Sequence, residues 1–128
     1  MFRRYTKVEL VRWVEGLSDY PAVFLPVPEG GFEVIFPNFV DLRAYGVKLS
    51  TAMRAAREIL TAELYTLLLE RRDPPRASRP ERLVPDPDEP PGTRLVMVSP
   101  DKKVLRKRLG LERRQPGAAR KLLGLLGR

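Results

Sequence analysis

Any chemistry in this 128-residue chain must be done without the two most versatile functional side chains, because it contains no histidine and no cysteine. That removes the imidazole general base and the commonest metal ligand. It also removes thiolate nucleophiles, disulfides and thiolate metal sites. Ser50 and Ser99 therefore have no imidazole to activate them. Gly30-Gly31 lies between two apolar runs and reads as a hairpin turn, not as a loop that cradles phosphate. Metal-dependent phosphodiester cleavage would need several carboxylates converging on one or two ions. Asp19, Glu29, Glu33 and Asp41 are the carboxylates nearest the apolar core segments. Glu33 alternates with Phe32 and Val34 and so points to solvent, which leaves Asp41 as the one to test. No catalytic residue, metal ligand or cofactor is assigned, and the chain reads as a binding protein.

Charge offers a different kind of chemistry. Residues 1–100 balance 14 Lys/Arg against 14 Asp/Glu, so the whole net charge of +8 sits in residues 101–128. There Lys102, Lys103, Arg106, Lys107, Arg108, Arg113, Arg114, Arg120 and Lys121 interleave with leucines and are the candidate nucleic-acid-binding residues. As an arm on nucleic acid they would neutralise phosphates and release counterions, giving steep salt dependence. A membrane-surface helix built on KLLGLLGR is a second reading. In the third, the leucines dock on the domain or on a dimer mate and the charges are solvated.

The elements that must position these groups are legible from pattern. Tyr20–Val27 is rich in β-formers, Pro28-Glu29-Gly30-Gly31 supplies the reversal, and Phe32, Val34 and Phe36 share one face of a second strand. Pro37 should end that strand or place it at an edge. A third strand is expected around Leu42–Val47, with Gly46 at a bend or bulge. Met53, Ala56, Leu60, Leu64 and Leu67 recur at helical spacing, joined by Ile59 and Leu68. Arg54, Arg57, Glu58, Thr61, Thr66 and Glu70 occupy the opposite side, Arg54 and Glu58 at pairing distance. Ser50 is the expected N-cap and Asp73-Pro74-Pro75 the expected stop. Such a helix of roughly 21 residues spans about 32 Å, enough to cover a small sheet.

Before the hairpin, Thr6-Lys7-Val8-Glu9 fits a capping box, which favours a short helix over a strand. Val8 and Val11 would then face inward, with Leu10 and Val14 as further candidates, and Trp13 would serve as a packing anchor. Asp73–Thr93 carries seven prolines and should be an extended connection. Arg94–Ser99 reads as a short buried strand ended by Pro100.

The series Y-P-A-V-F, E-G-G-F-x-V-x-F-P-N-F, Gly46 and L-S-T-A-M-R-A-A-R-E-I-L resembles the HicB-type antitoxin family over about Tyr20 to Arg72. The chain departs from that family's pattern at Val40-Asp41, where a Pro-Gly-containing turn is usual. It also departs at Lys48, Ser50 and Thr51, where a Thr N-cap and acidic first-turn residues are usual. The resemblance implies an α+β fold: a small antiparallel three- to four-stranded sheet with one long helix across it (β-β-β-α-β, partial RNase H-like). Around it stand a short N-terminal helix and a basic helical C-terminal tail. The expected division is an N-terminal extension at 1–18, the α+β domain at 19–100 with its Pro-rich connection at 73–93, and the tail at 101–128.

The resemblance further implies an antitoxin that neutralises a cognate RNA-cleaving toxin and binds operator DNA through the tail. The alternative is a stand-alone nucleic-acid-binding or protein-interaction module without a toxin. One helix across the sheet leaves a face or an edge strand for a partner, and Phe39, Leu42 and Tyr45 are the candidate partner-binding residues. A homo-oligomer, dimer or tetramer, is expected. The absence of an apolar run of roughly 20 residues or a signal-peptide core makes the cytoplasm the expected compartment. Thirteen prolines and an Arg-heavy basic set suit a thermophile or a GC-rich genome.

Overall fold

The computed structural model describes residues 6–83 and 86–112. Arg113, Arg114, Arg120, Lys121 and the leucines beyond them lie outside the described residues. Helix α1 (Lys7–Gly16) is followed by strands β1 (Tyr20–Pro26), β2 (Phe32–Ile35) and β3 (Arg43–Gly46). Then come helix α2 (Leu49–Leu69), strand β4 (Arg94–Val98) and helix α3 (Lys102–Arg108). The four strands form one antiparallel sheet in the order β3-β2-β1-β4. This is the expected β-β-β-α-β arrangement with helices before and after it.

The hairpin forms because Gly30 and Gly31 adopt φ of 101° and 89°, which side chains with a Cβ rarely reach. Val27 N–H donates to Gly31 O at 3.1 Å and closes the turn. The period of two then sorts the strands: Phe24, Ala22 and Val34 are fully buried, and Phe36 is 1% exposed. Helix α2 lies over that face and buries Ala52, Ala56, Leu60, Leu64 and Leu68. Each of these leucines removed from water contributes about 1.5–3 kcal/mol, and each alanine less than about 1 kcal/mol.

Several local expectations are corrected. Helix α2 begins after Lys48, not Ser50; Lys48 N–H donates to Thr51 Oγ1 at 2.9 Å, and the Thr51 hydroxyl donates back to Lys48 O at 2.9 Å. The helix stops at Leu69, ahead of the prolines. Arg71 takes a left-handed φ of 59°, and Arg72 N–H returns to Leu67 O at 2.8 Å. Gly46 serves a close approach instead of a bulge: a Cβ there would sit 2.2 Å from Ala52 N, in the first turn of α2. Thr61, assigned to the solvent side, is 4% exposed. In α1, Thr6 caps Glu9 N–H at 3.2 Å as expected, and Val14 is buried. Val8 and Val11 are 61% and 37% exposed, because only one turn of so short a helix reaches the core.

The Pro-rich connection is tied at both ends. Tyr20 donates its hydroxyl to Pro75 O at 2.7 Å, and burial raises its pKa above the ordinary 10.0. Asn38 and Ser78 exchange two hydrogen bonds, of 2.7 and 3.2 Å. At the far end Gly92 lies against the Pro26 ring, at the other end of β1. Between these anchors Pro80–Arg82 makes one 3-10 turn with proline at its start, the position where a missing N–H costs least. Among the described residues no helix is long and apolar enough to cross a membrane.

Candidate functional site

Two surfaces carry binding chemistry, and they sit on different sides of the sheet. The first is the sheet face turned away from α2. The strand register aligns Arg43, Ile35, Val23 and Leu95 in one row across all four strands. Tyr45 opposite Glu33, and Met97 opposite Pro21, flank that row. Tyr45 is 52% exposed, Leu95 41% and Met97 39%, and Val23, Leu25 and Ile35 are half-buried. Tyr45 is held in place, its hydroxyl donating to Gly30 O at 2.7 Å. Beside it Arg43 and Glu33 pair at 3.0 Å. An apolar patch with a fixed aromatic and a charged rim is the composition of a protein-binding surface.

Of the three residues expected to contact a partner, this geometry presents Tyr45. Leu42 is 7% exposed and belongs to the core. Phe39 is half-buried between Tyr20 and Phe36, with ring centroids at 5.0 and 6.2 Å. Sequence reasoning missed Leu95 and Met97. Their alternation with Val96 and Val98 in RLVMV was the available signal, obscured because a run of apolar residues reads as buried on both faces.

The second surface is α3. Asp101 caps it by accepting Val104 N–H at 3.1 Å, and Arg106, Lys107 and Arg108 fall in its last turn, where cations complement the helix dipole. Leu105 is fully buried, and Leu109 and Leu111 pack on the core. Thr61 ties the helix down, donating to Arg57 O at 2.7 Å and accepting Asp101 N–H at 3.0 Å. The expected nucleic-acid-binding cations therefore divide. Lys102 Nζ donates to Glu15 O at 3.0 Å, and Arg106 faces Glu15 at 3.5 Å. Lys103, Lys107 and Arg108 are exposed.

Asp41, the carboxylate singled out for testing, is an exposed turn residue at φ 54°, a conformation Asp tolerates better than most residues. It stands where the resembled family has its Pro-Gly turn. Among the described residues no group of three His, Cys, Asp or Glu side chains could hold a metal ion.

No protein-family profile and no curated protein matches the chain. Solved structures do. A chain of the "HicA3 and HicB3 toxin-antitoxin complex" matches with 25% identity and a TM-score of 0.53, over 66% of this chain and 99% of that one. The antitoxin HicB of Burkholderia pseudomallei matches with 21% identity and a TM-score of 0.57, over 86% and 99%. A toxin-antitoxin complex from Streptococcus pneumoniae gives 21% and 0.58, over 86% and 88%. The fold is that of the HicB antitoxins.

Proposed function

We propose that this protein is an antitoxin that binds a cognate RNA-cleaving toxin and blocks it by occlusion, without catalysis of its own. The observation that carries this reading is the match to a chain of a HicA–HicB complex along 99% of that chain. The open sheet face supplies the contact, with Tyr45, Leu95 and Met97 as anchors and Phe39 and Leu42 holding the strand approach from beneath. Co-expression with a candidate toxin, such as any small basic protein encoded by a neighbouring gene, tests the reading. Restored growth and a co-purifying complex are expected, both lost with Tyr45→Ala/Met97→Glu. A toxic neighbour that this chain neither binds nor silences would overturn the proposal.

A second element of the proposal is nucleic-acid binding by the C-terminal cations, in an assembly of two or four copies. Lys103, Lys107 and Arg108, exposed on one helix, support it together with the basic residues that follow. Binding of the full chain to duplex DNA should fall steeply with salt, and Lys103→Glu/Lys107→Glu should weaken it at every sequence. A chain cut at Ser99 is a poor control, because Leu105 would leave the core with it. If DNA binds and no toxin does, the stand-alone nucleic-acid-binding module is the correct description.

A further inference from the structure

Along the β3 edge, α2, α3 and that strand border a groove of about 780 Å³, which meets the rim of the open face at Arg43. Its floor is apolar, formed by Ala55, Ile59 and Ala62 of α2 and Val104 of α3. Arginines from three elements stand around it: Arg43 of β3, Arg54 and Arg57 of α2, and Arg108 of α3. We propose that this groove binds an acidic amphipathic segment of a partner protein, its apolar side chains on the floor and its carboxylates on the arginines. The proposal goes beyond the toxin reading and does not rest on it.

The charges favour that occupant once those already committed are set aside. Arg43 is paired with Glu33, and the Asp101 carboxylate caps α3. Arg57 spends Nε on Ser99 O at 3.2 Å, which orients the guanidinium and leaves its terminal N–H groups for a carboxylate. Arg54 and Arg108 are exposed cations, and Glu58 is the one carboxylate on the wall that opposes them. The chain's own residues 113–128 carry leucines that would suit the floor, but they contain Arg113, Arg114, Arg120, Lys121 and Arg128 with no acidic residue. The rim repels such a segment, from this copy or another. Nucleic acid is disfavoured because the floor is apolar and offers no aromatic ring for bases to stack on. An acidic segment with leucines at helical spacing satisfies both floor and rim.

The test is fluorescence anisotropy with two labelled synthetic helical peptides of the same leucine pattern, one with glutamates between the leucines and one with lysines. The full chain should bind the glutamate peptide and not the lysine peptide, more weakly as salt rises. Arg54→Glu/Arg108→Glu should weaken it by about tenfold or more. Ala62→Trp, which fills the floor without changing charge, should weaken it too. Tyr45→Ala, on the other face, should leave it unchanged, which separates failure here from failure of the toxin reading. Circular dichroism checks that each variant is folded, with Arg54→Ala and Arg108→Ala singly as milder substitutes. Equal binding of both peptides, no binding of either, or a glutamate-peptide affinity that neither groove variant alters would overturn the proposal. Duplex DNA that competes for the groove and loses affinity in Ala62→Trp would assign it to nucleic acid instead, and would overturn it equally.

Discussion

The same four strands present two faces with opposite fates. Under α2 they carry Ala22, Phe24 and Val34, all fully buried, while on the other side Tyr45, Leu95 and Met97 keep between 39% and 52% of their surface exposed. A slip of one residue in register would exchange the two sets, so the buried face fixes the pairing and the open face inherits its positions from it. Stability and the proposed recognition surface thus fall on alternate residues of the same short segments. A binding surface can change here without touching the core, provided the alternation is kept.

The sharpest way to break that division is to substitute matched residues on the two faces and unfold each variant in urea. Phe24→Ala should cost about 3–5 kcal/mol, and Met97→Ala less than about 0.5 kcal/mol. Comparable losses would mean that the open face is also structural. Gly46→Ala probes where β3 meets α2. With its Cβ forced against Ala52 N, backbone must shift, and a loss of about 1–3 kcal/mol is expected. A neutral result would show that the helix start yields easily.

Thr61→Val keeps the volume but leaves Asp101 N–H without its acceptor, at a cost of about 1–3 kcal/mol. The exposed Thr66, which donates to Ala62 O, serves as the control, and Thr66→Val should change little. Tyr20→Phe removes the hydrogen bond to Pro75 for about 0.5–1.5 kcal/mol. Because burial raises the folded pKa of Tyr20, the unfolded chain loses the phenol proton first as pH rises. Stability should therefore be full below about pH 10 and fall above it, and Tyr20→Phe should flatten that fall. Smallest of all, Lys103→Glu/Lys107→Glu should leave the urea midpoint unchanged within error. Its effect should fall on the proposed DNA binding alone.

Much of the fold was legible because its signals are local. The double glycine, the period of two on either side of it, the 21-residue helical stripe and the Thr6 cap each operate within a few residues. The interaction surfaces were less legible. Leu42 and Tyr45 are three apart in the same strand region, so the period of two puts them on opposite faces, and pairing with β2 decided that Leu42 is core and Tyr45 surface. Basic composition placed Lys102 and Arg106 with Lys103 and Lys107. What separates them is Glu15, 87 residues before Lys102 in the chain.

What the sequence by itself determined is therefore the set of elements, most of their inward faces and the absence of imidazole and thiol side chains, since each follows from composition or short-range periodicity. Tertiary structure alone decided the rest. It buried Thr61 by bringing Asp101 onto it, and it made Gly46 obligatory by bringing α2 against β3. It drew Leu105 into the core and left the cations beside it on the surface. It also assembled a groove from arginines on three separate elements. Those outcomes depend on contacts between distant residues, and no periodicity in the chain encodes which ones will meet.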